Sequence, residues 1–143
     1  MIEEYLRQID ELLSISLAVR NVEVVRRSLR NTDFEKVLNY RYRVMLADGS
    51  FLEMTERVLE VHGTLEVTKY RHHWQDGSGV LIKRWDNAPH HPAIETFPHH
   101  LHEGAEDSVV SHRAITGLEA LRRILGEIEA REGTGGMEDL LSC

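Results

Sequence analysis

The sequence predicts an α+β domain, an antiparallel meander sheet of about five strands with N- and C-terminal amphipathic helices. Apolar residues recur at helical spacing near the two ends of the chain. Between these ends, runs rich in β-branched and aromatic residues alternate with short turns, among them Asp48-Gly49, a strong hairpin signal. The 143 residues match the length of one domain, and we expect residues 1–131 to form it.

The first helix is predicted over residues 2–14. Glu3 and Glu4 occupy its first turn, where the helix dipole favours acidic groups. Its apolar positions share one face and are Ile2, Tyr5, Leu6, Ile9, Leu12 and Leu13.

The second helix is predicted over residues 116–131. Thr116-x-x-Glu119 has the form of a capping box, in which two side chains bond the free backbone N–H groups of a helix start. A Gly-rich segment follows over residues 132–143, and we expect this tail to be disordered or ordered only by a partner.

Five strands are predicted between the helices, over residues 22–30, 36–46, 51–61, 64–75 and 80–87. Tight turns would set one row across the sheet as Arg41, Glu56, Lys69 and Asp86, and its neighbour as Tyr42, Thr55, Tyr70 and Trp85. The same register sets Val58 opposite Val67. It also gathers Arg43, Arg71 and Arg84, which repel one another unless an anion or a buried acid joins them or they spread into water.

The net charge of −7 argues against loose binding to nucleic acid, but bases concentrate in two segments. Residues 20–43 carry seven bases and three acids, and residues 69–92 carry four bases and two acids, so either segment could bind an anion locally. The acidic N-terminus and the lack of a long apolar run predict a cytoplasmic protein that does not enter a membrane. The single cysteine, Cys143, excludes a disulfide or a cysteine-based zinc site within one subunit.

Five of the nine histidines and all three prolines fall in residues 84–102, RWDNAPHHPAIETFPHHLH. The prolines restrict the residues before them and predict a stiff loop after the last strand. Zinc is one ligand that such a loop could bind. Adjacent histidines in an extended segment point to opposite sides, so at most one of each pair, together with His102 beside His100, could share a metal ion.

Acid–base catalysis is the chemistry that the sequence favours for this loop. Cleavage of RNA by its own 2′-hydroxyl needs a base, an acid and a cation, without a metal or another cofactor. Candidates for base and acid are His90, His91, His99 and His100, and candidates for the cation are Arg71, Arg84 and Lys83. Alternatively, several of these histidines only satisfy backbone groups of the loop. The aromatic Tyr70, Trp74 and Trp85 are expected in the core rather than against nucleic-acid bases.

The segment YRHHWQDGSGVLIKRWDNAPHHPAIETFPHHLH, residues 70–102, resembles the signature of the TumE family of prokaryotic toxins. The preceding hairpin, YRYRVMLADGSFLEMTERV, is similar to the family's as well, so the likeness covers residues 36–102. The resemblance implies a growth-inhibiting toxin whose partner is a helix-turn-helix antitoxin. Trp85 stands where the family commonly has tyrosine, and Leu101 where it commonly has lysine, which removes one phosphate contact.

The sequence therefore predicts a toxin that acts as a metal-independent ribonuclease. Binding of RNA is assigned to Tyr70, Arg71, Lys83, Arg84, Asp86, Asn87 and His102. Two alternatives stay open. One is a non-enzymatic toxin or metal-binding protein that occupies its target, and the other is a regulator of the neighbouring gene product. A homodimer is open as well.

Overall fold

The computed structural model describes the backbone of residues 1–141 and the side chains of residues 1–132. One antiparallel sheet of seven strands lies between two helices in the chain order. The elements are α1 (Ile2–Ile15), β1 (Val19–Asn31), β2 (Glu35–Leu46), β3 (Phe51–Val61), β4 (Thr64–Gln75), β5 (Leu81–Asp86), β6 (His100–Glu103), β7 (Val109–Ser111) and α2 (Gly117–Leu141). The α+β class is confirmed, and the short strands β6 and β7 add to the five that were predicted.

The α2 helix continues to Leu141, past the predicted end of the second helix. The predicted tail, residues 132–143, lies almost entirely beyond the residues whose side chains are described. Its disorder stays a prediction. Across residues 1–141, no helix is both long and apolar enough to cross a membrane.

The sheet has one face covered by helices and one open face. Its strands are neighbours in chain order, from β1 at one edge to β7 at the other. Along residues 38–46 and 52–58 the even-numbered side chains are buried with the apolar residues of both helices, whereas the odd-numbered ones keep some exposure. Because side chains alternate along a strand, a helix face with an apolar core lies opposite an open, polar face.

Glu56 of β3 ties both helices to the sheet. One carboxylate oxygen accepts hydrogen bonds from the Tyr5 and Tyr40 hydroxyls, at 2.5 and 2.6 Å, and the other accepts the Gly117 backbone N–H at 3.0 Å. Burial nevertheless raises the pKa of Glu56. A Cβ atom at Gly117 would collide with the Tyr40 hydroxyl and the Glu56 carboxylate, so only glycine permits this approach of α2.

The first predicted register is wrong by one residue. The turn at Asp48-Gly49 closes over three residues rather than two, with Gly49 in the left-handed region at φ 87°. Arg41 therefore pairs with Thr55 instead of Glu56.

The predicted pairing of Val58 with Val67 is confirmed, because the His62-Gly63 turn does contain two residues, both with positive φ. A bulge at Thr68 then shifts the pairing by one residue, and a second bulge shifts β5 against β4. Both predicted rows across the sheet are consequently wrong. The observed rows are Arg41, Thr55, Arg71 and Asp86 on the open face and Tyr42, Met54, His72 and Trp85 on the helix face.

The predicted cluster of Arg43, Arg71 and Arg84 is wrong in one member, because the Arg84 guanidinium bonds Asp86 and Glu106 instead. Arg41, Arg43 and Arg71 surround the carboxylate of Glu53 at 3.0, 3.0 and 4.0 Å. Burial alone would raise the pKa of Glu53, but the bonded guanidinium groups lower it overall. Glu53 is thus the buried acid that joins these like charges.

Candidate functional site

The open face of the sheet carries a run of cationic side chains, here called the basic face. The register places them on one side of β1 to β4, and they are Arg26, Arg41, Arg43, Arg57, Lys69 and Arg71. The carboxylates that contact these groups, Glu23 and Glu53, both meet arginines of β2. Six cations beside two acids leave the face with an excess of positive charge, although the whole chain is acidic.

Two pockets adjoin on the basic face. The first, of about 520 Å³, is lined by Arg26, Arg41 and Arg57. The second, of about 700 Å³, is bounded by Arg71 and by the histidine-rich loop, and is called the histidine pocket. Lys69 lines both pockets, so the two lie side by side on the basic face, and the second of them contains the histidines.

Asn87 fixes the point at which the chain leaves the sheet. Its side chain accepts the Tyr70 backbone N–H and donates to the Thr68 carbonyl, both at 3.1 Å, where another ladder residue would otherwise bond. Pro89 and Pro92 have no N–H to donate, so the chain continues as a loop and returns to the sheet at β6.

Three histidines and one aspartate converge in the histidine pocket, and these four residues are called the histidine cluster. Asp86 of β5 pairs with His100 of β6, and His102 lies two residues further along the same face. Nε2 of His100 lies 3.0 Å from the Asp86 carboxylate and 3.1 Å from Nε2 of His102. His91 of the loop meets both rings edge-on, so one ring nitrogen from each histidine lies within 4.8 Å of the other two.

Backbone carbonyls hold two of these rings from behind. Nδ1 of His100 lies 3.0 Å from the carbonyl oxygen of Pro98, and Nδ1 of His102 lies 2.7 Å from that of Glu106. Since a carbonyl oxygen can only accept, each Nδ1 carries the proton in these bonds. Burial lowers the pKa of His102, which favours a neutral ring.

Arg84 closes the cluster from the side. Both of its terminal nitrogens donate to the Glu106 carboxylate at 2.6 Å, and its Nε donates to Asp86 at 3.4 Å. The bonded Arg84 lowers the pKa of Glu106. A guanidinium with all its nitrogens on carboxylates positions Asp86 and is not available to bind a phosphate.

The comparison with protein-family models matches residues 10–132 to the family described as Toxin TumE. The chain belongs to the TumE toxin family. Its match covers most of the chain, including the whole sheet and the histidine loop. Members are toxins of toxin–antitoxin systems, so this TumE-family protein is a toxin with an antitoxin partner. Neither the curated proteins nor the solved structures provide a match.

The histidine pocket of this TumE-family toxin contains most of the residues that the sequence singles out. It is bounded by Tyr70, Arg71, Arg84, Asp86, Asn87, His90, His91, His100 and His102. Lys83 does not bound it, because Lys83 pairs with Trp74 and therefore points to the helix face. The prediction that Tyr70, Trp74 and Trp85 belong to the core is confirmed by their burial.

His99 and the Tyr70 ring lie on the helix side of the sheet. The Tyr70 hydroxyl lies 2.8 Å from Nδ1 of His99, and the two rings stack with centroids 5.8 Å apart. Burial lowers the pKa of His99 and raises that of Tyr70 to about 12. Tyr70 pairs with Glu56 of the helix face, so the Tyr70 ring and His99 lie on the other side of the sheet from the histidine cluster, and the site roles predicted for both residues stay predictions.

Glu106 and Lys69 belong to the site of the TumE-family toxin without a clear sequence signal. Glu106 is exposed in the loop after β6, and no motif marks it as the partner of Arg84. Lys69 alternates with Arg71 on β4, but regular alternation from Val67 would have placed both on the helix face. The bulge at Thr68 is what brings them to the open face.

Proposed function

We propose that this toxin cleaves RNA in the cytoplasm, with the strand lying along the basic face and one phosphodiester in the histidine pocket. The observation that carries the proposal is that Lys69 borders both the arginine-lined pocket and the histidine pocket. A positively charged groove that leads to proton-transfer groups suits a single-stranded polyanion. The partner that restrains it is proposed to be a helix-turn-helix antitoxin.

The charges on the basic face support a phosphate-binding role. The side chains of Arg41, Arg43 and Arg71 keep between 40% and 49% of their exposure although they contact Glu53. Glu53 contacts all three guanidinium groups and Glu23 contacts Arg43 as well, which leaves one positive charge unmatched. Exposed, unmatched guanidinium groups can exchange a solvent ion for a phosphate oxygen.

The pocket offers the groups that cleavage by the 2′-hydroxyl requires. A base removes the 2′-proton, the 2′-oxygen bonds to phosphorus, and an acid protonates the departing 5′-oxygen, which leaves a 2′,3′-cyclic phosphate. His90 and His91 are the candidates for proton transfer, and Lys69 and Arg71 are placed to offset the charge of the phosphorane. Arg84, Lys83 and His99 have no part in this version of the proposal.

The test incubates purified toxin with an RNA oligonucleotide and identifies the ends of the products. We expect cyclic-phosphate and 5′-hydroxyl ends, and a loss of at least about 100-fold in rate for the double variant His90→Ala and His91→Ala. The control is His62→Asn, which changes a histidine in an exposed turn far along the sheet. Circular dichroism must show that both variants are folded.

Uncut RNA from a wild-type toxin that still inhibits growth would reject the proposal and favour a toxin that occupies its target. The sequence favours chemistry without a metal ion, whereas the ring orientations of the histidine cluster favour a bound cation. Parallel reactions with and without EDTA separate these two forms of the ribonuclease.

A further inference from the structure

The two histidines of β6 are held so that their lone pairs face each other. Each Nδ1 donates its proton to a backbone carbonyl, so a ring that carries a single proton has an Nε2 that is an acceptor. The two Nε2 atoms, of His100 and His102, are 3.1 Å apart. Two acceptors at this distance repel each other unless a positively charged atom lies between or beside them.

A carboxylate adds to this concentration of electron-rich atoms. Oxygens of Asp86 lie 3.0 Å from Nε2 of His100 and 3.6 Å from Nε2 of His102. All three side chains are at most 8% exposed, so water does not reach them freely. Asp86 also accepts hydrogen bonds from the Arg84 Nε and the Ala88 backbone N–H, and a proton or a metal ion can bridge the imidazole nitrogens that face it.

The spacing of these atoms matches the ligands of a transition-metal ion. Tetrahedral zinc with bonds of about 2.0–2.1 Å holds its ligand atoms roughly 3.3 Å apart. The two Nε2 atoms of His100 and His102 are 3.1 Å apart, one Asp86 oxygen lies 3.0 Å from His100 and the other lies 3.6 Å from His102, and a ring nitrogen of His91 lies within 4.8 Å of the other two. His91 sits on the loop and can close the remaining gap by a small movement.

We propose that His91, His100, His102 and Asp86 form a binding site for a divalent transition-metal ion of the zinc class. Imidazole ligands select such an ion over magnesium or calcium, which prefer oxygen. The surroundings are those of metal-binding histidines, whose second nitrogen typically donates to a backbone carbonyl or a carboxylate and thereby fixes the ring. Arg84 orients the aspartate in the same manner.

Metal binding stands by itself, whereas its role in catalysis rests on the proposed ribonuclease function. The site lies in the pocket where the phosphodiester is proposed to bind. A metal ion at this place would supply a Lewis acid for a phosphate oxygen and would lower the pKa of a bound water. That water could replace one of the two proton-transfer groups, with His90 as the other.

The test titrates full-length, EDTA-stripped toxin with zinc and, separately, with magnesium in a calorimeter. We expect one zinc ion per chain and no binding of magnesium at the same concentrations. His100→Ala and His102→Ala should each weaken zinc binding at least tenfold, and His90→Ala, which changes the neighbour of a ligand, should not. Cobalt supplies a second measurement, because Co²⁺ in a tetrahedral site absorbs visible light much more strongly than the hydrated ion does.

Wild-type toxin that binds no zinc, or ligand variants that bind it as tightly as the wild type, would overturn the metal site. The outcome separates the two proposals. Stoichiometric zinc with uncut RNA would reject the ribonuclease alone, and RNA cleavage in EDTA by a toxin that binds no zinc would reject the metal site alone. A folded but zinc-free His100→Ala variant that still cuts RNA would reject the catalytic role of the metal.

Discussion

Both faces of the sheet bury a carboxylate, but they surround it with opposite chemistry. On the helix face, Glu56 accepts hydrogen bonds from Tyr5, Tyr40 and the backbone of Gly117. On the open face, Asp86 accepts hydrogen bonds from Arg84 and from the Ala88 backbone N–H, but it also lies 3.0 and 3.6 Å from imidazole nitrogens of His100 and His102. A carboxylate that meets only donors stabilises the fold, whereas one that shares a pocket with imidazole nitrogens can help to bind a cation.

The largest effect that tests this comparison is expected on the helix face. Glu56→Ala leaves three buried donors without their acceptor, and we expect it to lower the free energy of unfolding by about 3 kcal/mol or more and the Tm by roughly 10 °C. Urea denaturation measures the change. The control Glu66→Ala alters an exposed glutamate and should leave stability as it is. A small loss in Glu56→Ala would mean that the three donors find other partners.

The corresponding change on the open face should affect ligand-dependent stability instead. Zinc at a hundredfold excess over its Kd should stabilise the wild type by about 2.7 kcal/mol, and Asp86→Asn should lose most of this gain. Without zinc, the amide of the variant can donate to one of the opposed imidazole nitrogens, so its stability should stay close to that of the wild type. Thermal melts with and without zinc measure both quantities. An equal zinc gain in both proteins would contradict the assignment of Asp86.

A buried histidine on the helix face makes a prediction about pH. His72 is fully buried, neither of its nitrogens has a hydrogen-bond partner among the described residues, and burial lowers its pKa to about 3. Its folded pKa lies below the unfolded value of 6.5, so the unfolded chain takes up the proton first and stability is lost as the pH falls below 6.5.

From pH 7 to pH 5, the wild type should lose roughly 2 kcal/mol more than His72→Phe. The phenylalanine keeps an aromatic ring beside Tyr70 without a group that titrates. Urea denaturation at both pH values provides the comparison. Parallel losses in the two proteins would show that the folded chain protonates His72 as readily as the unfolded chain does, for example after local opening.

The smallest effect is expected at the junction of the two pockets. Lys69→Gln should weaken RNA binding and reduce the slope of log K against log salt by roughly 0.7, the value of one phosphate contact with a single strand. Fluorescence anisotropy at several salt concentrations measures this slope. The matched control is Lys36→Gln, because Lys36 is bonded to Glu3 away from the pockets. An unchanged slope for Lys69→Gln would break the proposed path across the basic face.

Much of the fold could be predicted because helical and strand periodicity are local properties. The helix at residues 2–14 and the strands at 51–61 and 64–75 follow from spacing and turn residues alone. The register was predicted correctly only next to the His62-Gly63 turn, because a three-residue turn and two bulges each shift the pairing elsewhere without a strong mark in the sequence. Strands β6 and β7 are too short to show periodicity, and they form only by pairing with neighbours.

The site could be predicted in part for the same reason. Alternation along an extended segment correctly limits the histidines that could share an ion to one of each pair together with His102. That His91 rather than His90 joins His100 depends on how the loop folds back, which has no local signal. The fixed orientation of the rings depends on the carbonyls of Pro98 and Glu106, whose positions exist only in the folded chain.

The bulge at Thr68 decides on which side of the sheet each later residue of β4 lies. Were the pleat regular through this position, Tyr70 would turn outward and Arg71 would turn toward the helices. Every residue of β4 beyond Thr68 would then face the opposite side of the sheet. The bulge therefore keeps Lys69 and Arg71 beside the four arginines of β1 to β3, and a β4 that lost it would present the histidine pocket to a face without these two cations.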